Sequence, residues 1–277
     1  QSNELSAGRE FAFGRTDFVI AARGGYNRAE GLPVYLGPRV SLGHRNPTVF
    51  EGSLIVRSAA LDEPGFVLRL EQFMGGRRAA RIGFRWADEV LPIEQWGFSD
   101  RENSLTSFLL HRDYRDHYVQ TGWSTYLRVG RPGVPTQLTL TYARFDAQTA
   151  AVNDPVTLLY NDEPWRRQPR QSGRHYSILA TEASYDTRND QREPANGWHA
   201  RGGIEIQLNG SRYRYGTLDI RRYARLTPNS KISLRGIVAG SLDGDSVPAF
   251  RQQSLGGGAS LPAYEPYQFD CGGHEAA

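Results

Sequence analysis

The sequence predicts an all-β chain folded as an antiparallel transmembrane β-barrel, and three observations carry that expectation. Apolar and polar residues alternate with a period of two from about residue 50 to 240, while helical periodicity is almost absent. The polar faces of these runs carry arginine and glutamate even in mid-strand. Short turns and long polar loops connect the runs, as they do in outer-membrane barrels.

The alternation is cleanest in Ala80-Arg81-Ile82-Gly83-Phe84-Arg85-Trp86, where Ala80, Ile82, Phe84 and Trp86 share one face and Arg81, Gly83 and Arg85 the other. It recurs at 119–129, with Trp123 and Leu127 opposing Tyr126 and Arg128. At 198–208, Ile204 and Ile206 oppose Arg201 and Glu205. Leu138, Leu140 and Tyr142 alternate with threonine and glutamine, and Ile232, Leu234 and Val238 with Lys231, Ser233 and Arg235. Less regular runs near 33–42, 48–59, 66–74, 175–186 and 213–226 bring the total to about ten strands. Most reach the ~9–11 residues that a tilted membrane strand needs.

The expected organisation is a lead-in over 1–25 with room for one strand, barrel strands over 26–254 and a glycine-rich loop over 255–277. Short connections fall at 131–135 and 227–230, and long polar ones at 91–116, 149–174 and 241–256.

Alternation alone does not say which face is wet. A soluble sandwich hides its apolar face in a core, whereas a membrane barrel turns it to lipid and lines its lumen with the polar one. The polar faces place Arg81, Arg85, Arg128, Arg201, Glu205 and Arg235 as a lumen wall under the second reading. Trp86, Trp123, Trp198, Tyr213 and Tyr223 are expected near strand ends, where an interfacial girdle sits. The soluble binding module stays open as the alternative.

Composition narrows the rest. The 277 residues carry a net charge of +3, too small to favour nucleic acid as a partner. Lys231 is the sole lysine, so the basic character is arginine's. Cys271 is the sole cysteine, which excludes an internal disulfide. No stretch approaches the ~18 apolar residues of a membrane helix.

From residue 185 the chain reads YDTRNDQREPANGW, with Asp186, Arg188, Pro194 and then Gly197 before the next strand. This turn, followed by YRYGTLDIRRYARL, SKISLRGIVAGSLDG and a glycine-rich tail, resembles the bacterial surface-antigen superfamily of outer-membrane barrels. That superfamily includes the barrel-assembly insertase and the two-partner secretion transporters. The resemblance implies a bacterial outer-membrane location and a role in inserting, translocating or anchoring polypeptide, without chemistry of its own or a cofactor. It implies outer-membrane lipid as surroundings, and polypeptide cargo or a periplasmic domain as partner. A passive anchor or pore for a periplasmic enzyme domain is the alternative.

In the resembled family a Gly-Gly precedes a Leu/Val-Arg-Gly-aromatic motif on a loop that folds into the lumen. Here Gly256 and Gly257 precede Leu261, Pro262, Ala263 and Tyr264, so proline and alanine stand where the family has arginine and glycine. The polar anchor of the loop is therefore expected to be missing, and the closing strands of the family are expected beyond this chain. Segments 26–38 and 102–118 are similar to early strands of a less studied branch of such barrels.

Other candidate chemistry is sparse. His111, Asp113, Asp116 and His117 fall within seven residues, a spacing open to zinc or manganese but equally that of a polar strand mouth. Cys271 and His274 lack a second ligand pair, and DGDS at 243–246 lacks the later ligands of a calcium loop. The GWST around Ser124 is no nucleophile elbow. EPWRRQPR at 163–170 suits lipid phosphates or polyanions, with a solvated loop as the plainer reading. Neither a catalytic residue nor a metal ligand is assigned.

Overall fold

In the computed structural model, residues 3–270 are described apart from 12, 77–78, 94–98, 161, 211, 245, 253, 256–262 and 265–268. Twelve strands form one sheet: β1 (Asn3–Phe11), β2 (Gly14–Ala22), β3 (Pro33–Leu42), β4 (Thr48–Arg57), β5 (Ala60–Met74), β6 (Ala80–Pro92), β7 (His117–Val129), β8 (Thr136–Thr149), β9 (His175–Asp186), β10 (Gly197–Gln207), β11 (Arg214–Thr227) and β12 (Ser230–Ser241). Each strand pairs antiparallel with its neighbours in sequence. Among the described residues β1 and β12 are the free edges, and the sheet is not closed.

Alternation dictates these strands, since side chains on a strand point to opposite faces in turn and one register satisfies every pair. Arg81 lies beside Arg128 and Arg85 beside Ser124, while Ile82 faces Leu127 and Trp86 faces Trp123 on the other side. The first 22 residues hold two strands where one was expected, so the sheet exceeds the anticipated strand count.

Connections alternate between the two ends. The turn end carries 43–47, 75–79, 130–135, 187–196 and 228–229. The loop end carries 23–32, 58–59, 93–116, 150–174 and 208–213, and so holds the two longest.

The 93–116 connection contains helix α1 (Asp100–Leu110), which overturns the expectation of a loop there and of strand-like character over 102–118. Its start is fixed by a capping box: Ser99 Oγ accepts from Glu102 N at 3.3 Å, and Ser99 N donates to Glu102 Oε2 at 2.9 Å. It ends at His111 in the left-handed region, φ 56°.

The aromatic girdle is met in part. Trp86 and Trp123 sit mid-strand, and Tyr213 is buried at the loop end. Trp86 packs edge-on to Phe66 at 5.1 Å, and Trp123 meets Phe84 at 6.1 Å and Tyr142 at 5.6 Å. These rings are cross-strand pairs on one face; Trp198 is the second residue of β10, Tyr213 directly precedes β11, and Tyr223 pairs with Gly197 at the start of β10.

Polarity of the two faces is inverted relative to a soluble protein. Ile82 is 47 % exposed, Phe84 43 % and Ile204 52 %, and Ile206 is half-buried. Glu51, Arg57 and Glu89 on the opposite face are buried. A sandwich with an apolar interior is excluded by this arrangement.

Candidate functional site

The concave face is a continuous wall of charge pairs. Arg39 donates to Glu51 Oε2 at 3.1 Å, and Arg57 Nε to Glu30 Oε1 at 3.0 Å. Arg81 lies 3.5 Å from Glu71, and Arg85 pairs with Glu89 four residues on. Arg128 Nε donates to Thr139 Oγ1 at 3.2 Å. Arg221 and Arg235 both grip Asp219, at 2.8 and 2.9 Å, and Arg201 reaches Glu182 at 2.6 Å with its side chain 61 % exposed. Paired charges of this kind cost less to enclose than lone ones. Inward glycines leave room for large side chains: a Cβ at Gly83 would stand 2.3 Å from the Tyr126 ring, whose hydroxyl donates to Glu71.

The segment after β12 returns to this wall. A single 3-10 turn (Ala249–Arg251) places Phe250, 0 % exposed, against Tyr118 at 5.3 Å, Phe145 at 5.7 Å and Tyr176 at 4.9 Å. Beside it Arg251 forks onto Glu205, Nε to Oε1 at 3.0 Å and to Oε2 at 3.1 Å, and Nη2 to Oε2 at 2.8 Å. Tyr213 donates to the same carboxylate. The segment leading into the glycine-rich loop is thus held by a polar contact, while the position where the resembled family has its loop arginine, Pro262, lies outside the described residues. That contact is built from Arg251, upstream of the glycine run. A cavity of about 600 Å³ lies next to it, lined by Glu182, His199, Arg201, Asp219, Arg235 and Arg251 among others.

Gly256, Gly257, Leu261 and Pro262 lie outside the described residues; Ala263 and Tyr264 are exposed. Ser254 and Leu255 pair with Asp270 and Phe269, so the chain on either side of that stretch comes back together.

The 186–197 turn is a built unit at the turn end. Arg188 forks onto Asp186, Nε to Oδ1 at 2.9 Å and Nη2 to Oδ2 at 2.6 Å. Asn189 Oδ1 accepts from Ala195 N and Asn196 N, at 3.0 and 2.8 Å, around the half-buried Pro194. Gly197 has φ 118°, and a Cβ there would lie 2.3 Å from the Thr187 carbonyl oxygen, so glycine is required on both counts.

At the loop end, a buried polar network ties α1 to its neighbours. Arg28, 0 % exposed, donates to the carbonyls of Asp113 and Arg115 at 3.0 and 2.5 Å, to Asp116 Oδ1 at 2.6 Å and to Gln168 Oε1 at 2.9 Å. Asp113 also accepts from Arg28 N at 2.8 Å and from Asn103 Nδ2 at 2.8 Å. His111 turns to Thr157 at 3.1 Å and stacks on Trp165 at 3.7 Å. The four residues weighed as metal ligands therefore serve as cross-links of this cap. Among the described residues no three His, Cys, Asp or Glu side chains are grouped to hold a metal ion.

A sheet greasy outside and charged inside, with tight turns at one end and a capped mouth at the other, defines the class of outer-membrane β-barrel proteins. The family profile described as the Omp85 superfamily domain matches residues 75–269, and the chain belongs to that superfamily. No curated protein matches the chain, and no solved structure does.

Proposed function

We propose that this chain is a polypeptide-handling barrel of the bacterial outer membrane, one that inserts, translocates or anchors polypeptide through its wall and in-folded loop. It performs no bond chemistry of its own in this reading. Its surroundings are outer-membrane lipid, and its partner is cargo polypeptide or a periplasmic domain. One observation carries the reading: the segment after β12 is pinned against the charged face of the sheet by Phe250 and the Arg251–Glu205 pair. A loop so held occupies the path that a polypeptide would use, and its release would open the path.

The test is conductance of the protein reconstituted in planar bilayers. Replacing Phe250 by Ala together with Arg251 by Gln removes a ring from an aromatic pocket and a charge-assisted fork, each worth about 2 kcal/mol or more. Open events should become several-fold more frequent than in the parent. Equal conductance in the two proteins would refute the gating role of this loop.

A further inference from the structure

Helix α1 has its amphipathic character inverted. Asn103 and Ser107 are buried, with Asn103 donating to Asp113 at 2.8 Å, while Leu105 and Phe108 are open to the surroundings. The stretch 155–158 repeats the pattern in extended form: Pro155 and Thr157 are buried, and Val156 and Leu158 stand out at 77 % and 63 % exposure. The two are joined into one ridge. Leu158 N donates to the Phe108 carbonyl at 2.8 Å, and Tyr26 lies edge-on to Phe108 at 5.3 Å with its hydroxyl donating to the Val156 carbonyl. From below, Thr157 meets His111 at 3.1 Å. Asp154 and Tyr160, at φ 43° and 60°, bracket the stretch with left-handed backbone that few non-glycine residues adopt.

This ridge lies apart from the apolar belt of the strands. On β6 to β9 the register sets Trp86 beside Trp123 and, at the next outward position toward the loop end, Asp88, Thr121, Asp146 and His175 in one row. That polar row separates the belt from the cap. The helix borders the mouth instead: Leu105 shares a cavity of about 1220 Å³ with Tyr35, which stands on the charged face of β3. Arg23, Arg101 and Arg115 also line this cavity, and Asp100 is the one carboxylate in its lining. Arg115 pairs with Asp100 at 2.5 Å and Arg23 with Glu51 at 3.1 Å. Arg101 stands four residues before Leu105 on the same side of the helix, exposed and without a hydrogen bond or ion pair among the described residues.

An apolar face on a fixed polar support, with unspent positive charge at one end, fits a chain segment that brings apolar side chains and carboxylates together. We propose that Leu105, Phe108, Val156 and Leu158, with Arg101, form a docking surface at the loop-end mouth for an acidic, apolar segment of the cargo polypeptide. The inference rests on the polypeptide-handling reading of the barrel.

The test is fluorescence anisotropy of short labelled peptides titrated with the purified full chain in detergent. Three peptides of equal length are compared: leucine with glutamate, leucine with lysine, and serine with glutamate. The parent should bind the leucine–glutamate peptide in preference to both others. The double variant L105S/L158S changes only exposed side chains, so its fold is kept, and its affinity for that peptide should fall about tenfold or more. Arg101→Glu should narrow the lead of the leucine–glutamate peptide over the leucine–lysine one. Equal affinity of the parent for those two peptides, or undiminished binding by the double variant, would overturn the proposal. A parent that sediments as a dimer, with the double variant a monomer, would assign the ridge to a second copy of the chain and overturn it too. Absence of peptide binding in a parent whose Phe250→Ala/Arg251→Gln variant opens more often sinks this site alone, whereas peptide binding at the ridge without that gain in opening sinks the gating role of the loop alone.

Discussion

Glu30 shows how burial and charge compete at a single side chain. It lies in the 23–32 loop, buried, with Arg57 at 3.0 Å, yet its carboxyl is pushed up to about 7 because loss of hydration outweighs the guanidinium's pull. Glu89 adds repulsion. The folded protein therefore binds this proton more tightly than the unfolded chain, whose group titrates near 4.5. The contribution of Glu30 is fully present below about pH 4.5 and is lost as pH rises through about 7. The loss is on the order of 3 kcal/mol. Urea midpoints in detergent should fall between about pH 5 and 8 for the parent, and much less for Glu30→Gln. Parallel pH curves for both would show that Glu30 is not the source.

At the scale of elements, the cap and the strands were legible to different degrees. β6, β7 and β10 were readable because apolar and polar residues alternate over most of their length, as at Phe84 and Arg85. Helix α1 was not, because the side it buries is polar: Asn103 and Ser107 are its buried residues, while Leu105 and Phe108 are exposed. No apolar 3.6 period results, and only the Ser99-Asp100-Arg101-Glu102 capping box could have announced it. The anchor at Phe250 and Arg251 was equally hidden. Its partners Tyr118, Tyr176 and Glu205 come from three strands far away in sequence, and no local pattern encodes such a meeting. Arg28 gives the cap its most exposed weakness, because one side chain satisfies four acceptors without access to water. Arg28→Met would leave Asp113 and Asp116 without their buried partner, at about 3–5 kcal/mol. Proteolysis within 150–174 should accelerate in that variant while the strands stay protected. Unchanged cleavage would mean that the loop is held by other contacts.

For the whole molecule, the decisive property is the sidedness of the sheet. Ile82, Phe84 and Ile204 are open to the surroundings while Glu51, Arg57 and Glu89 are enclosed, so the medium outside must be apolar. Phe84→Arg, midway along β6, should cost about 2–4 kcal/mol of folding in a bilayer. The heat-resistant folded band on cold gels after refolding into vesicles should shrink accordingly. A full-strength band would show that this surface never meets lipid. The resemblance that pointed to the superfamily lay in the 186–197 turn, where Asp186, Arg188 and Gly197 are fixed by local geometry and so leave a local mark.

The neighbour-to-neighbour order of the twelve strands has a consequence for how the wall comes into being. Within the described sheet each strand pairs with its neighbours in sequence, so closing each hairpin adds one more row to a growing template at small loop-closure cost. Delivered from the N-terminus, the chain would zip in the sequence in which it arrives, and a pulling force on either edge would peel it back one hairpin at a time.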